Sequence, residues 1–182
     1  MKRTLILIAF LLVGSITMSA QFHNKQIFGL TLGKKYSQQE MASCLNSQGL
    51  DVATLPQYPN TVTIYDQTFG GFDWHIITFD ASGNKRRNAL QKVSFYHPEK
   101  TEQGMMSFRN QLVSRLKTKY GEPFRVEKTD FGVVYGWVGG RNTMITVWSS
   151  FSEGLSEESE AFVALDYIDV RYYTGDVGFN EL

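Results

Sequence analysis

Met41, Cys44 and Leu45 recur at helical spacing, and so do Met105, Phe108, Leu112, Leu116 and Tyr120. Each series marks one apolar face on an otherwise polar segment, the pattern of a helix lying on a sheet rather than inside a bundle. Both helices have marked ends. Ser37 and Glu40 form a Ser-x-x-Glu capping box, with Tyr36 and Met41 at staple spacing, and Gly49 supplies a left-handed stop. The second helix starts near Thr101, carries Lys117 and Lys119 in its last turn and stops at Gly121 before Pro123.

Elsewhere the apolar residues alternate, as strands require. A two-residue turn at Gly70-Gly71 predicts one face with Phe69 opposite Phe72, Gln67 opposite Trp74, Tyr65 opposite Ile76 and Thr63 opposite Thr78. The other face then pairs Asp66 with His75, Ile64 with Ile77 and Val62 with Phe79, a floor for a helix. The same turn at Gly139-Gly140 puts Val134/Ile145 and Gly132/Val147 on one face. Phe131/Trp148, Tyr135/Met144 and Trp137/Asn142 fall on the other. Val93 and Phe95 continue the first half as a third strand, and Val163, Leu165 and Tyr167 do so in the second. The expectation is a sorting by size, with small aliphatics toward the helices and large rings away from them.

The order of helix, Gly-Gly hairpin, polar loop and strand thus occurs twice. It predicts an α+β fold of two tandem α-β-β-β units sharing one antiparallel sheet, with the helices on one face. The units span about residues 27–97 and 101–170 of a single domain at 21–182. Residues 27–33, Ile-Phe-Gly-Leu-Thr-Leu-Gly, read either as an edge strand or as a lead-in packed under the first helix. The loops at 80–88, polar and basic, and 152–160, serine-rich and acidic, read as solvated tips.

Lys2 and Arg3 precede an apolar run from Leu5 to Val13, and Met18-Ser19-Ala20 offers small residues before Gln21. Residues 1–20 therefore read as a signal peptide, too short to span a membrane, and the expected location is periplasmic or secreted. Cys44 is the only cysteine, so no internal disulfide forms and no lipidated cysteine stands at the cleavage site. It is expected as a small buried hydrophobe. Basic and acidic residues balance at 18 each, which argues against a nucleic-acid partner.

Catalytic patterns are nearly absent. There is no phosphate loop, no H-E-x-x-H, no Cys-x-x-Cys and no G-x-S-x-G, and the histidines are His23, His75 and His97. No metal and no cofactor is expected. Asp66 opposite His75, with Asp73 nearby, is the one pair with acid-base geometry; a cross-strand polar pair is the structural reading and a hydrolase site the chemical one. The expected binding residues are the rings of the helix-free face: Tyr65, Trp74, Tyr96, Phe131, Tyr135, Trp137 and Trp148. Such rings dominate protein interfaces, so the expectation is an exported, non-catalytic module that binds a protein or peptide. The alternative covers for that face are the amino-terminal segment, the acidic loop and a twin subunit, and the alternative binding reading is a small ligand or glycan stacked on the same rings.

Two copies of helix, hairpin and strand in an exported chain of this size resemble the beta-lactamase-inhibitor-protein fold, and also the small outer-membrane-assembly lipoproteins that carry one such unit. The residues behind the resemblance are Phe28-Gly29-Leu30-Thr31-Leu32-Gly33 before the Ser37-capped helix, and Lys119-Tyr120-Gly121-Glu122-Pro123 at the end of the second. The resemblance implies binding of another protein through the open face of the sheet. It does not imply inhibition of a beta-lactamase.

Overall fold

In a computed structural model, residues 26–82, 88–129, 132–138, 142–152 and 160–172 are described. Residues 1–25, expected to hold the signal peptide, lie outside them, as do Phe131, the Gly139-Gly140 turn, most of both polar loops and the tail beyond Tyr172. A small hairpin of β1 (Gln26–Ile27) and β2 (Leu30–Thr31) comes first, then helix α1 (Gln38–Asn46) and strands β3 (Val52–Ala53), β4 (Thr61–Phe69), β5 (Phe72–Asp80) and β6 (Lys92–Glu99). Helix α2 (Glu102–Tyr120) follows, with β7 (Arg125–Thr129), β8 (Gly132–Val138), β9 (Thr143–Ser152) and β10 (Glu160–Asp169). Strands β3 to β10 form one sheet in the order β3-β4-β5-β6-β10-β9-β8-β7. Every strand pairing among the described residues is antiparallel, so the fold is α+β. The edge strands β3 and β7 have too few alternating apolar residues to be visible in the sequence pattern.

Local chemistry sets the helix limits as expected. The Ser37 hydroxyl accepts from the Glu40 amide at 3.2 Å while the Glu40 carboxylate accepts from the Ser37 amide at 2.7 Å, completing the capping box. Thr101 caps α2 by accepting from the Gly104 amide at 3.1 Å, and Gly121, at φ 79°, ends it. Met41 and Leu45 from α1, and Met105, Leu112 and Leu116 from α2, are buried in one core with Val62, Ile64, Ile77, Phe79, Val93, Phe95, Ile145, Val147, Val163 and Leu165. Ile27, Leu30 and Leu32 join that core, so the lead-in is a packed plug and not an edge of the main sheet. Cys44 is half-buried rather than buried, because it stands at the shoulder of the α1 stripe beside Gly29.

The size sorting fails, and it fails in two different ways. In the first hairpin the predicted register is present pair for pair, from Thr61 opposite Asp80 to Phe69 opposite Phe72. Asp66, however, has a positive φ of 51° and drops out of the ladder. The kink reverses which side faces the core: Val62 and Ile64 point in below it, Phe69 above it, and on β5 the inward set changes from Ile77 and Phe79 to Trp74 and Phe72. In the second hairpin the register itself differs. Trp137 lies opposite Ile145 and Val138 opposite Met144, so the connection spans residues 139–142 instead of two glycines. The shift in pairing is odd, which exchanges the faces of β8. Asn142, at φ 67°, belongs to that longer turn.

Burial raises the Tyr120 phenol above its ordinary value, and burial, with Tyr120 beside it, raises Tyr167 as well. A phenol whose folded pKa is raised keeps its contribution below the unfolded value and loses it as pH climbs, because only the unfolded chain then releases protons. Stability should therefore fall above about pH 10, the ordinary tyrosine value. Lys119, whose ammonium is pushed down by burial, acts in the opposite sense, so the measurement is a difference. Denaturant titrations between pH 9 and 11 should show a shallower fall for Tyr167→Phe than for wild type; identical slopes would refute the assignment.

Candidate functional site

The helix-free face is built from the alternate positions of the same strands. Cross-strand pairing places Tyr65 beside Ile76, Ile76 beside Tyr96, Tyr96 beside Ala164 and Ala164 beside Trp148 in one row across β4, β5, β6, β10 and β9. Phe162, one step along β10 on the same side, fills the gap over Ala164: its ring centroid is 5.1 Å from Tyr96 and 4.9 Å from Trp148, the latter edge to face. Tyr65 and Trp148 are 43 % and 37 % exposed, so both ends of the stripe meet solvent.

Of the expected binding rings, Tyr65, Tyr96 and Trp148 are in this stripe. Trp74 and Trp137 are not: each is 1 % exposed and lies on the helix side. Trp74 packs against Phe95 and Phe108, and its indole N–H donates to the Phe69 carbonyl at 3.1 Å. Trp137 donates to the Gly121 carbonyl at 3.0 Å, tying β8 to the end of α2. Tyr135 stacks on Trp137 and is also on the helix side, partly buried. The Asp66 kink accounts for Trp74, and the longer β8–β9 turn accounts for Trp137 and Tyr135. Phe131 is outside the described residues. Sequence reasoning missed Phe162, which shares the parity of Ala164 on β10, and left Ile76 out of the binding set although it placed that residue opposite Tyr65 on this face.

Beside the stripe runs a trough of about 390 Å³. Thr61, Thr63, Thr78 and Ser94 give it a hydroxyl floor, Asp80 and Lys92 its charged end, and Leu55 and Tyr58, both exposed, its wall. Gln38 of α1 ties wall and floor together, its amide donating to the Tyr58 carbonyl at 3.5 Å and to the Thr61 carbonyl at 2.8 Å. Thr63 and Thr78 hydroxyls bond each other at 3.3 Å. Asp80 accepts from the Gln91 amide at 2.9 Å and the Ser82 backbone N–H at 2.8 Å, and Lys92 pairs with Asp166 at 3.2 Å.

Asp66 and His75, turned outward by the kink, bond through Oδ1 and Nδ1 at 2.8 Å, both well exposed. They line a shallow cleft of about 360 Å³ with Asp73 and His97. The other groups there already have partners. Asp73 accepts from the Thr68 hydroxyl at 2.6 Å, and His97 bonds the Asp73 carbonyl at 2.9 Å and Glu99 at 3.1 Å while stacked on Phe108. Among the described residues no group of three or more His, Cys, Asp or Glu side chains is placed to hold a metal ion. No helix among them is long and apolar enough to cross a membrane. Comparisons of the chain with protein-family models, curated proteins and solved structures found no match.

Proposed function

We propose that this protein is an exported, non-catalytic binding module that takes a protein or peptide on the helix-free face of its sheet. The observation that carries the reading is the stripe of Tyr65, Ile76, Tyr96, Phe162 and Trp148, a band of rigid contact area with two exposed ends on a face that no helix among the described residues covers. The stripe keeps the expected surface but replaces Trp74, Trp137 and Tyr135 with Ile76 and Phe162. The tandem reading supports it: each helix is followed by four strands, and the strand order runs inward from β3 and from β7 to meet at β6 and β10. Two copies of one unit joined in this way build a sheet wide enough to present a face, as the resemblance to the beta-lactamase-inhibitor-protein fold implies. The leader-like residues 1–20 support export to the periplasm or beyond.

The test is capture of a partner from cell-envelope extract by wild type and by the Tyr65→Ala, Trp148→Ala double variant. Both residues lie outside the core, so the variant should stay folded, at a cost far below that of a core truncation, while its affinity falls by about tenfold or more. Equal capture by the two proteins would remove the stripe from the binding surface.

A second reading rests on the trough. Its hydroxyl floor and the exposed Tyr58 ring suit a saccharide, whose C–H faces stack on aromatics while its hydroxyls bond the floor. Saturable binding of a glycan that is lost in Tyr58→Ala, with no protein captured by the stripe, would favour this reading.

A further inference from the structure

On the opposite side of the sheet, a cleft of about 580 Å³ lies between the first half of α2 and the edge formed by β7 and β8. Its walls are Met105 and Met106 of α2, Val126 of β7, Val133 and Tyr135 of β8 and Phe151 of β9. Met106 and Val126 are exposed at its rim. Arg109, one turn along α2, also lines the cleft and is only 9 % exposed. Its guanidinium donates to the Asn110 side-chain carbonyl at 3.2 and 3.3 Å and to the Ser149 hydroxyl at 3.3 Å. Those partners satisfy N–H groups but are neutral. No carboxylate among the described residues forms an ion pair with Arg109; Glu102, two turns earlier on α2 and lining the same cleft, does not reach it.

A cation withdrawn from water without a counter-charge is unfavourable, and a guanidinium is the side chain whose flat fork matches a carboxylate. The surrounding apolar walls and the size of the cleft fit a small organic body. We infer that this cleft is a binding site for an amphipathic monocarboxylate of the medium-chain fatty-acid kind, its carboxylate on Arg109 and its chain against the methionines, Val126 and Phe151. With Glu102 offsetting Lys128 the cleft carries one net positive charge, which matches a monocarboxylate better than a dianionic phosphate. Lys128 at the mouth adds long-range attraction, and Glu102 limits the site to a single anion.

The site is independent of the stripe, since it occupies the helix side of the sheet. Calorimetric titration of the full chain with decanoate, and with decanol as the neutral control, tests it. Decanoate should bind with one-to-one stoichiometry, and decanol at least about tenfold more weakly, the loss expected for a charge-assisted hydrogen bond. Arg109→Gln should weaken decanoate to the level of decanol. Should that variant fold poorly, Val126→Trp at the exposed rim fills the entrance without touching the core and should abolish binding of both. Equal affinity for acid and alcohol, decanoate binding retained in Arg109→Gln or in Val126→Trp, or no decanoate binding to wild type, would each overturn the proposal.

Discussion

Trp74→Ala is expected to cost about 3 to 5 kcal/mol, the range for truncating a large aromatic in a core, and to do so without acting on the binding face. The indole sits between Phe72, Phe95 and Phe108, with ring centroids 6.3, 5.3 and 5.5 Å away, so its removal opens a void under α2 that three rings border. Its N–H bond to the Phe69 carbonyl is lost as well. The hairpin tip depends on these contacts. Arg115 of α2 donates to the Gly70 carbonyl at 3.2 Å and lies over the Phe72 ring at 5.1 Å, so the tip is docked from above only while the rings below keep their places. Guanidinium denaturation should show the loss against Trp148→Ala, whose ring packs on Phe162 outside the core cluster and keeps 37 % of its surface exposed, and which should cost under about 1.5 kcal/mol. A Trp74→Ala protein within about 1 kcal/mol of wild type, with its near-ultraviolet dichroism unchanged, would contradict the placement of this ring.

The contrast between these two tryptophans shows where the sequence could be read and where it could not. Helix ends were legible because their signals are local: Ser37 and Glu40 meet three residues apart, and Gly121 stops α2 with its own backbone. The register of the first hairpin was legible for the same reason, since a two-residue Gly-Gly turn fixes every pair behind it. The faces were not, although the clue was present. Val62 and Ile64 keep one phase of alternation and Phe69 keeps the other; Phe72 and Trp74 break phase with Ile77 and Phe79. Both breaks fall at the Asp66–His75 pair, and aspartate is among the few residues that accept a positive φ. The second hairpin hid its turn length, because Gly139-Gly140 satisfies the same rule as Gly70-Gly71 and only Asn142 signals a longer connection. The stripe was therefore half legible. Tyr65, Tyr96 and Trp148 follow from strand parity, whereas Arg109 gave no sign, since a cation on the apolar face of α2 becomes informative only once the first half of the helix is seen to border a cleft beside β7 and β8.

Asp169→Ala should cost about 3 kcal/mol, the lower end for breaking a buried ion pair, and should loosen the attachment of the N-terminal plug. Asp169 is fully buried at the end of β10, and Arg171 folds back on it: Oδ1 accepts from the Arg171 amide at 3.2 Å and Nε at 2.9 Å, and Oδ2 from Nη2 at 2.7 Å. The Arg171 side chain is 43 % exposed, so once released it regains water, which holds the loss below that of a pair with both members buried. The carboxylate stands directly against the backbone of Gly33, where an added Cβ would lie 2.6 Å from Oδ2 and 2.8 Å from Nη2. Gly33 also has φ 80°, and its amide donates to the Leu90 carbonyl at 2.7 Å while the Asp169 amide donates to the Gln91 carbonyl at 2.8 Å. The plug, the approach to β6 and the end of β10 thus meet at one carboxylate. Gly33→Ala should reproduce the defect from the other side, because a side chain there strains the backbone and displaces the ion pair at once. The double variant should then cost less than the sum of the two single ones, as expected for residues sharing a contact. Strict additivity in a denaturant double-mutant cycle would show that the plug is held by Ile27, Leu30 and Leu32 alone.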